Sequence, residues 1–543
     1  MLAVVVFCLI AVIPVRNLLR AYVDGGASNL ATLGLSTLAI MGIWIWLMTL
    51  PRIPRTLRMG VGAFPFVAIL LWFSQNRFDG FSGDLIPQFQ NRYTDPAERL
   101  ITTNDQPVEP NAIRDGDQET ISTSMASTTF PQYLGANRNG IVEGIRLDGD
   151  WKSNPPRIQW RIPMNAGWSG FAISGDQCIT LEQIDENEAI TCYSVATGRP
   201  IWKNEYLAKH SNPVGGVGPR STPTISNGFV YTQGATGIVS CVRLDTGEVE
   251  WRKSILDIAG TDQSTAELAV FWGRAGSVLL HQNLAIVPFG LPKADLPGSE
   301  SGGESDTSLK LLIAFNRDTG EPAWIGGQGV VSYASPIIGT LRGVEQIISV
   351  NESTATGNSL EDGHQLWTFD WPGSSSGAAT NAQPILLDDH RIWISKGYGA
   401  GAAVFEISQA EAAKNSNAVF TARLAIENTT VMRSKFSNPI QVGEYVYGLS
   451  EGILQCVRIR DLKSMWKRGR YGHGQMLQVG DFFLLSAESG ELVLIAVNPE
   501  KFIEVGSIDV LQGTTWNPLA ISGSNVLMRN ADEAACVQIP LVD

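Results

Sequence analysis

Residues 239–251 read VSCVRLDTGEVEW, an alternating strand, a tight Asp-Thr-Gly turn and a second short strand that ends on tryptophan. The unit recurs. Ile190 to Trp202 (ITCYSVATGRPIW) and Leu312 to Trp324 (LIAFNRDTGEPAW) repeat it, and Gly198/Trp202, Gly247/Trp251, Gly320/Trp324 and Gly363/Trp367 all keep one glycine-to-tryptophan spacing. Leu454 to Trp466 (LQCVRIRDLKSMW) keeps the strand and the tryptophan but has Leu462 at the glycine position, which calls for a different turn. Ahead of each copy stands a short strand led by a polar residue and proline, as in Thr222-Pro223, Ser335-Pro336, Gln383-Pro384 and Asn438-Pro439. Together the two elements make about four short strands in each period of roughly 40 to 50 residues, the signature of propeller blades. Entry strands near Gly170, Pro223, Ser277, Pro336, Pro384, Pro439, Gln475 and Pro518 predict an all-β, eight-bladed β-propeller.

The blade unit resembles the pyrroloquinoline-quinone-like (PQQ-like) repeat family, whose Thr-Gly turn and docking tryptophan are matched by Thr197-Gly198/Trp202, Thr246-Gly247/Trp251 and Thr319-Gly320/Trp324. Ser194, Arg243 and Asn316 replace the aspartate that the family has three residues before the threonine. The stretch Phe130 to Gly140 (FPQYLGANRNG) is similar to the W-P-x-F/W-R-G-x-x-R-x-G lead-in of envelope members, with Leu134 in place of the first arginine. The resemblance implies a fold more firmly than a function, because the repeat serves quinoprotein dehydrogenases and the non-enzymatic outer-membrane-assembly propellers of the BamB kind alike.

At 543 residues the chain has room for more than one domain, and a formal net charge of −13 excludes the basic face that nucleic acid requires. Residues 1–75 read as a membrane anchor. Leu30 to Leu50 is uncharged and long enough to cross a hydrocarbon core of roughly 30 Å. With the shorter apolar runs 2–15 and 59–73 it makes three expected transmembrane helices, the first of which also reads as a signal-peptide core. Arg52, Arg55 and Arg58 place the loop between the second and third helices in the cytoplasm and the propeller outside, in the periplasm or exterior. Arg16 and Arg20 argue for the reverse topology. Residues 76–129 read as a flexible polar linker, 130–543 as the propeller, and Pro292 to Lys310 as a long loop inside blade three. Ala535 to Ile539 and Ile158 to Arg161 are each half a blade, so the two ends of the domain are expected to complete one sheet.

The recurring Trp160, Trp202, Trp251, Trp324, Trp367 and Trp466 are expected as wedges between blades, each burying roughly 200 Å². Cys192, Cys241 and Cys456 share one slot with Ala314, a small buried position, while Cys178 and Cys192 lie symmetric about Asp185 and are a candidate cross-strand disulfide. Superposing the repeats puts Arg220, Arg274, Tyr333, Asn381, Phe436 and His473, with Lys435 beside Phe436, at the mouth of a central funnel. Such a ring suits an anionic or peptide ligand. No HExxH, GxSxG, P-loop, Cys-x-x-Cys or adjacent Cys-Cys pair occurs in the sequence, which argues against catalysis. The resemblance therefore implies a membrane-anchored scaffold at the inner membrane, with envelope or membrane proteins as partners, lipid contact through the N-terminal helices and no cofactor. The alternative it implies is a membrane-bound alcohol or sugar dehydrogenase using PQQ with calcium. A ligand-sensing or polysaccharide-sensing propeller is a third reading.

Overall fold

The glycine of each Thr-Gly turn does two jobs, and together they fix how blades stack. Gly198, Gly247, Gly320 and Gly363 all take φ between 70° and 74°, a left-handed conformation that glycine adopts without strain. Each also lies flat against the tryptophan of the preceding blade: a Cβ would stand 2.8 Å from the Trp160 ring at Gly198 and 2.6 Å from the Trp251 ring at Gly320. The indole N–H then reaches forward to a backbone carbonyl of the same next blade, from Trp160 to Val195, Trp202 to Leu244 and Trp251 to Arg317, each at 2.8 Å. Trp324 and Trp466 do likewise to Leu360 and Asn498. Trp367 instead bonds Gln346 of its own sheet and packs on Phe405 of the next blade.

This computed structural model describes residues 2–22, 25–50, 54–93, 129–264, 266, 270–292, 309–373, 377–410 and 420–542. Among them, eight sheets of four or five strands follow one another along the chain, each an up-and-down meander. Blade one is Ala172–Ser174, Gln177–Ile184, Asn187–Ser194 and Pro200–Leu207; blade six, for comparison, is Ile440–Val442, Tyr445–Ser450, Ile453–Arg458 and Lys463–Arg470. The expected eight-bladed propeller is the observed one. Blade eight is closed from both ends of the domain, with Glu533–Gln538 antiparallel to Arg157–Pro163 and Cys536 opposite Trp160. The same small-against-tryptophan pairing recurs at Cys192/Trp202, Cys241/Trp251, Ala314/Trp324, Gly357/Trp367 and Cys456/Trp466, always beside a register shift that seats the ring.

Several expectations need correcting. Leu462 does not bring a different turn: it holds φ at 49°, still left-handed. Blade five, which precedes it, carries Ile426 where other blades carry tryptophan, so a leucine side chain fills the space an indole would occupy. Cys178 and Cys192 are free thiols, because the hairpin turns on Asp185-Glu186 and sets Cys178 against Tyr193 and Ile179 against Cys192. A one-residue offset puts the two sulfurs on opposite faces. Of the expected linker, Asn76–Phe81 and Pro87–Asn91 form a hairpin, and 94–128 lies outside the described residues, as does most of the blade-three loop.

Residues 1–99 form a compact unit of their own and 100–543 another. In the first, helices α1 (Leu2–Tyr22), α2 (Gly25–Thr49) and α3 (Arg55–Gln75) all run longer than the apolar runs that announced them. Backbone hydrogen bonding continues through Arg16, where hydropathy alone stops. Gly25–Thr49 and Thr56–Gln75 are long and apolar enough to cross a membrane.

Candidate functional site

Because strands alternate in direction within a blade, the loops leading into each first strand share one face of the propeller with the loops between second and third strands. On that face the axis is ringed by polar side chains from the start of most first strands, with Gly170 and Pro518 at that position in blades one and eight. The backbone N–H of Gly170 donates to Thr222 Oγ1, that of Thr222 to Ser277 Oγ (3.0 Å), and that of Ser277 to Ser335 Oγ (3.0 Å). Gln383 N donates to Asn438 Oδ1 at 2.7 Å, and Asn517 Nδ2 to Ser169 O at 2.9 Å. Each bond joins neighbouring blades, so the ring both lines the channel and ties it.

The lead-in crosses this channel. Phe130 pairs with Ile173 of blade one, Pro131 O accepts from Ile225 of blade two, and Gly140 O accepts from Gln478 of blade seven. Arg138, buried, donates to the Val278 (3.0 Å) and Ser277 (3.2 Å) carbonyls of blade three, while the Tyr133 hydroxyl accepts from Asn438 Nδ2 of blade six. One short segment that touches the innermost strands of blades one, two, three, six and seven must pass across the axis.

At the open face a wall of aromatic rings spans four blades. Trp168 packs on Trp516 (4.8 Å between centroids), Trp516 on Phe436 (5.1 Å) and Phe436 edge-on to His473 (5.4 Å). Trp168, Trp516 and Phe436 are half-buried, whereas His473 is covered. Glu488, from the loop between second and third strands of blade seven, accepts from Trp516 Nε1 (2.8 Å) and from the His473 amide (3.0 Å) and so braces the wall. Cations flank it: Lys435 Nζ stands over the Tyr398 ring, and Lys396 Nζ stands over Trp371. Burial pulls the Lys396 ammonium down to about 8 against the pull of Glu352. Toward blades one and two, Arg220 donates to the Trp272 carbonyl, and the Trp272 amide donates to Tyr333 Oη at 3.1 Å. Beyond Arg220 the Glu188 carboxyl is buried and rises to about 7, because desolvation outweighs its bonds from Tyr206 and Ala235.

The seven sequence-chosen residues divide. Arg220, Tyr333, Phe436, His473 and Lys435 come to this face, though only Arg220 and Phe436 of these keep appreciable exposure; Asn381 is half-buried with its amide Nδ2 turned inward and unbonded. Arg274 does not belong. The polar ring aligns Ser277 with Thr222 and Ser335, so the slot matching Arg220 is Ala275, and the Arg274 side chain, 3% exposed, turns into its blade to bond the Phe289 carbonyl at 2.7 Å. Trp168 and Trp516 were missed, although both stand two residues before Gly170 and Pro518, the positions that match Thr222 and Ser277, as Arg220 does before Thr222. That matching offset was the available signal.

A quinone with calcium needs carboxylate and amide oxygens free to converge, and the two carboxylates described on this face are both engaged. Glu488 and Glu188 are each held by two protein donors. Among the described residues the one group of three His, Cys, Asp or Glu side chains close enough to share a metal ion is Asp388, Asp389 and His390, in a turn on the opposite face, and Asp388 already accepts from Arg391.

The family described as "Outer membrane protein assembly factor BamB" matches residues 153–290 and 305–501. No curated protein matches the chain. Among solved structures, the computationally designed Ika8 protein is similar at 10% identity over 73% of this chain and 100% of its own, with a TM-score of 0.47. BamB from Moraxella catarrhalis is similar at 11% identity over 66% of this chain and 93% of its own (TM-score 0.41). Quinohemoprotein alcohol dehydrogenase from Comamonas testosteroni is similar at 10% identity over 77% of this chain and 81% of its own (TM-score 0.41).

Proposed function

The chain belongs to the PQQ-like propeller family described as outer membrane protein assembly factor BamB, and from that premise we propose that it is a membrane-anchored scaffold of the cell envelope which holds protein partners at the mouth of its axial channel. The observation that carries the reading is the half-exposed aromatic wall Trp168, Trp516 and Phe436, with the half-buried Arg220 on the same face and the Glu488 carboxylate already bound from within. Aromatic and cationic groups supply desolvated contact area and charge-assisted bonds to polypeptide, the chemistry of protein hot spots. The anchor is α2 and α3, with α1 beside them, and the propeller lies outside the cytoplasm, as the arginines of the loop between α2 and α3 favour.

The test uses the full chain in detergent. With PQQ and calcium added, it is expected to hold no stoichiometric chromophore and to oxidise no alcohol or sugar in a dye-linked assay; binding with turnover overturns the reading in favour of the dehydrogenase. In cells, a photo-crosslinking residue at Phe436 is expected to capture an envelope protein, and the Trp168→Ala/Trp516→Ala pair is expected to abolish that adduct without changing the amount of folded protein.

A further inference from the structure

The outer strand of blade six, Lys463–Arg470, reads KSMWKRGR, with four cations and no acid, in a chain whose net charge is −13. Arg458 and Arg460 in the preceding strand and turn extend the run, offset only by Asp461, which Arg458 holds at 2.5 Å. Arg460, Lys463, Arg468 and Arg470 are exposed; Arg460 lies near Asp461, and among the described residues Lys463, Arg468 and Arg470 form no ion pair. Charged edges are a common guard against edge-to-edge aggregation, but the propeller contains its own controls. All eight blades present an equivalent outer edge, and a guard would be spread among them. Instead, Pro200–Leu207 mixes Lys203 with Glu205, Phe420–Asn428 mixes Arg423 with Glu427, Pro322–Gly326 is uncharged, and the adjacent Glu504–Asp509 is acidic. Arg157–Pro163 of blade eight carries two arginines, one of them facing Glu533, and blade six alone lines up four cations.

We propose that this edge is a docking stripe for an acidic, extended polypeptide segment of a partner protein. Among the described residues the strand has no sheet neighbour on its outer side, so its outward backbone groups are open to pairing. At about 3.3 Å per residue it spans roughly 25 Å from one face of the propeller to the other, the shape of a line rather than of a patch. A line of cations beside free backbone donors fits a chain of alternating carboxylates; a lipid headgroup layer would need cations spread over one face. Met465 and Gly469 both fall outside the ladder, and Gly469, at φ 69°, bends the strand between Arg468 and Arg470, leaving Trp466 to Arg468 as the regular stretch for backbone pairing and the two arginines as its charged end. The stripe rests on the scaffold reading but not on the channel mouth, so the two can fail separately: turnover with quinone would sink the scaffold and leave a peptide measurement untouched.

The experiment is fluorescence anisotropy on the full-length protein in detergent, with a short labelled peptide alternating glutamate and valine and a second alternating lysine and valine. The acidic peptide is expected to bind and the basic one not. Arg468→Glu/Arg470→Glu is expected to weaken binding by about ten-fold or more, whereas Lys203→Glu on the edge of blade one leaves it unchanged. Raising salt is expected to weaken it further. Should the charge-reversed pair fail to fold, the milder Arg468→Gln/Arg470→Gln pair serves, with a smaller loss in the same direction. No binding, binding indifferent to these variants, or binding of phosphatidylglycerol vesicles in place of the peptide overturns the proposal.

Discussion

Trp251 and Gly320 are two halves of one contact made between blades two and three, since the indole covers the glycine and bonds the Arg317 carbonyl beside it. Trp251→Ala is therefore expected to cost about 3 to 5 kcal/mol in chemical unfolding. Gly320→Ala alone meets both the ring and a φ of 71°; in the Trp251→Ala background only the left-handed strain remains, about 1 to 2 kcal/mol. A double-mutant cycle should show that shortfall, and strict additivity would mean that the ring and the turn do not touch. Glu188 gives a second test at this scale. Its folded pKa, about 7, lies above the ordinary 4.5, so between those values the folded state keeps a proton that the unfolded chain has released. Stability should accordingly fall as pH rises through that window, and Glu188→Gln should flatten the fall, measured as unfolding midpoints at about pH 5 and about pH 8. Single residues were legible in the sequence where a repeat supplied the register. The repeat shows the glycine-to-tryptophan spacing within one copy, whereas the tryptophan that covers each glycine comes from the copy before. Arg274 was misplaced because blade three has Val278 where four of the blades have proline, and a one-residue slip turns a side chain from the channel into the blade.

The lead-in is the element on which the channel most depends, and Arg138 is its far anchor. The guanidinium is buried, and burial lowers its pKa to about 10, so it is charged at neutral pH and is held by the carbonyls of Ser277 and Val278 and by Gln132. Arg138→Met keeps the apolar stem and strands those acceptors, with an expected cost of about 3 kcal/mol. Because the loss falls on blade three, hydrogen exchange should quicken at Leu279–His281 more than at Ile385–Leu386, which the lead-in is not seen to touch. Equal quickening in both strands would place the segment elsewhere. Elements proved legible where period and length agreed, which covers the blades and α2. The hairpin Asn76–Asn91 was not, because its strands are short and polar and what fixes them is local: Trp72 and Phe73 at the end of α3 pack on Phe89, and Phe78 packs on both Phe89 and Phe81. The Cys178–Cys192 geometry failed for a similar reason, since symmetry about Asp185 presumes a one-residue pivot and the observed turn has two residues, with Asp185 at φ 50°.

For the molecule as a whole, the division into residues 1–99 and 100–543 makes limited proteolysis informative. We expect a first cut between about residues 94 and 128 that releases a stable propeller fragment, and a stable product cut within a blade would contradict that boundary. Ring closure is the stronger test, because a closed ring and an open stack of blades respond differently to losing one end. In a stack each unit contacts only its neighbours, so damage at one end stays there. Here Glu533–Gln538 is the sole sheet partner of Arg157–Pro163 among the described residues, and that strand carries Trp160, which wedges against blade one. Arg529 adds a second tie, donating to Thr180 Oγ1 at 2.7 Å and to the Leu181 carbonyl at 3.1 Å across the same seam. Ending the chain after Asn530 leaves Arg529 in place but opens two sheet edges and frees Trp160. The expected result is a single unfolding transition at markedly lower temperature, with faster hydrogen exchange in blade one as well as blade eight. Ending it after Pro540 removes only the tail that bonds the Arg146 carbonyl through Val542 and should shift the midpoint little. If the shorter chain unfolds in two steps, with blades one to seven at the original temperature, the blades are held as a stack and the seam between first and last contributes nothing to the rest.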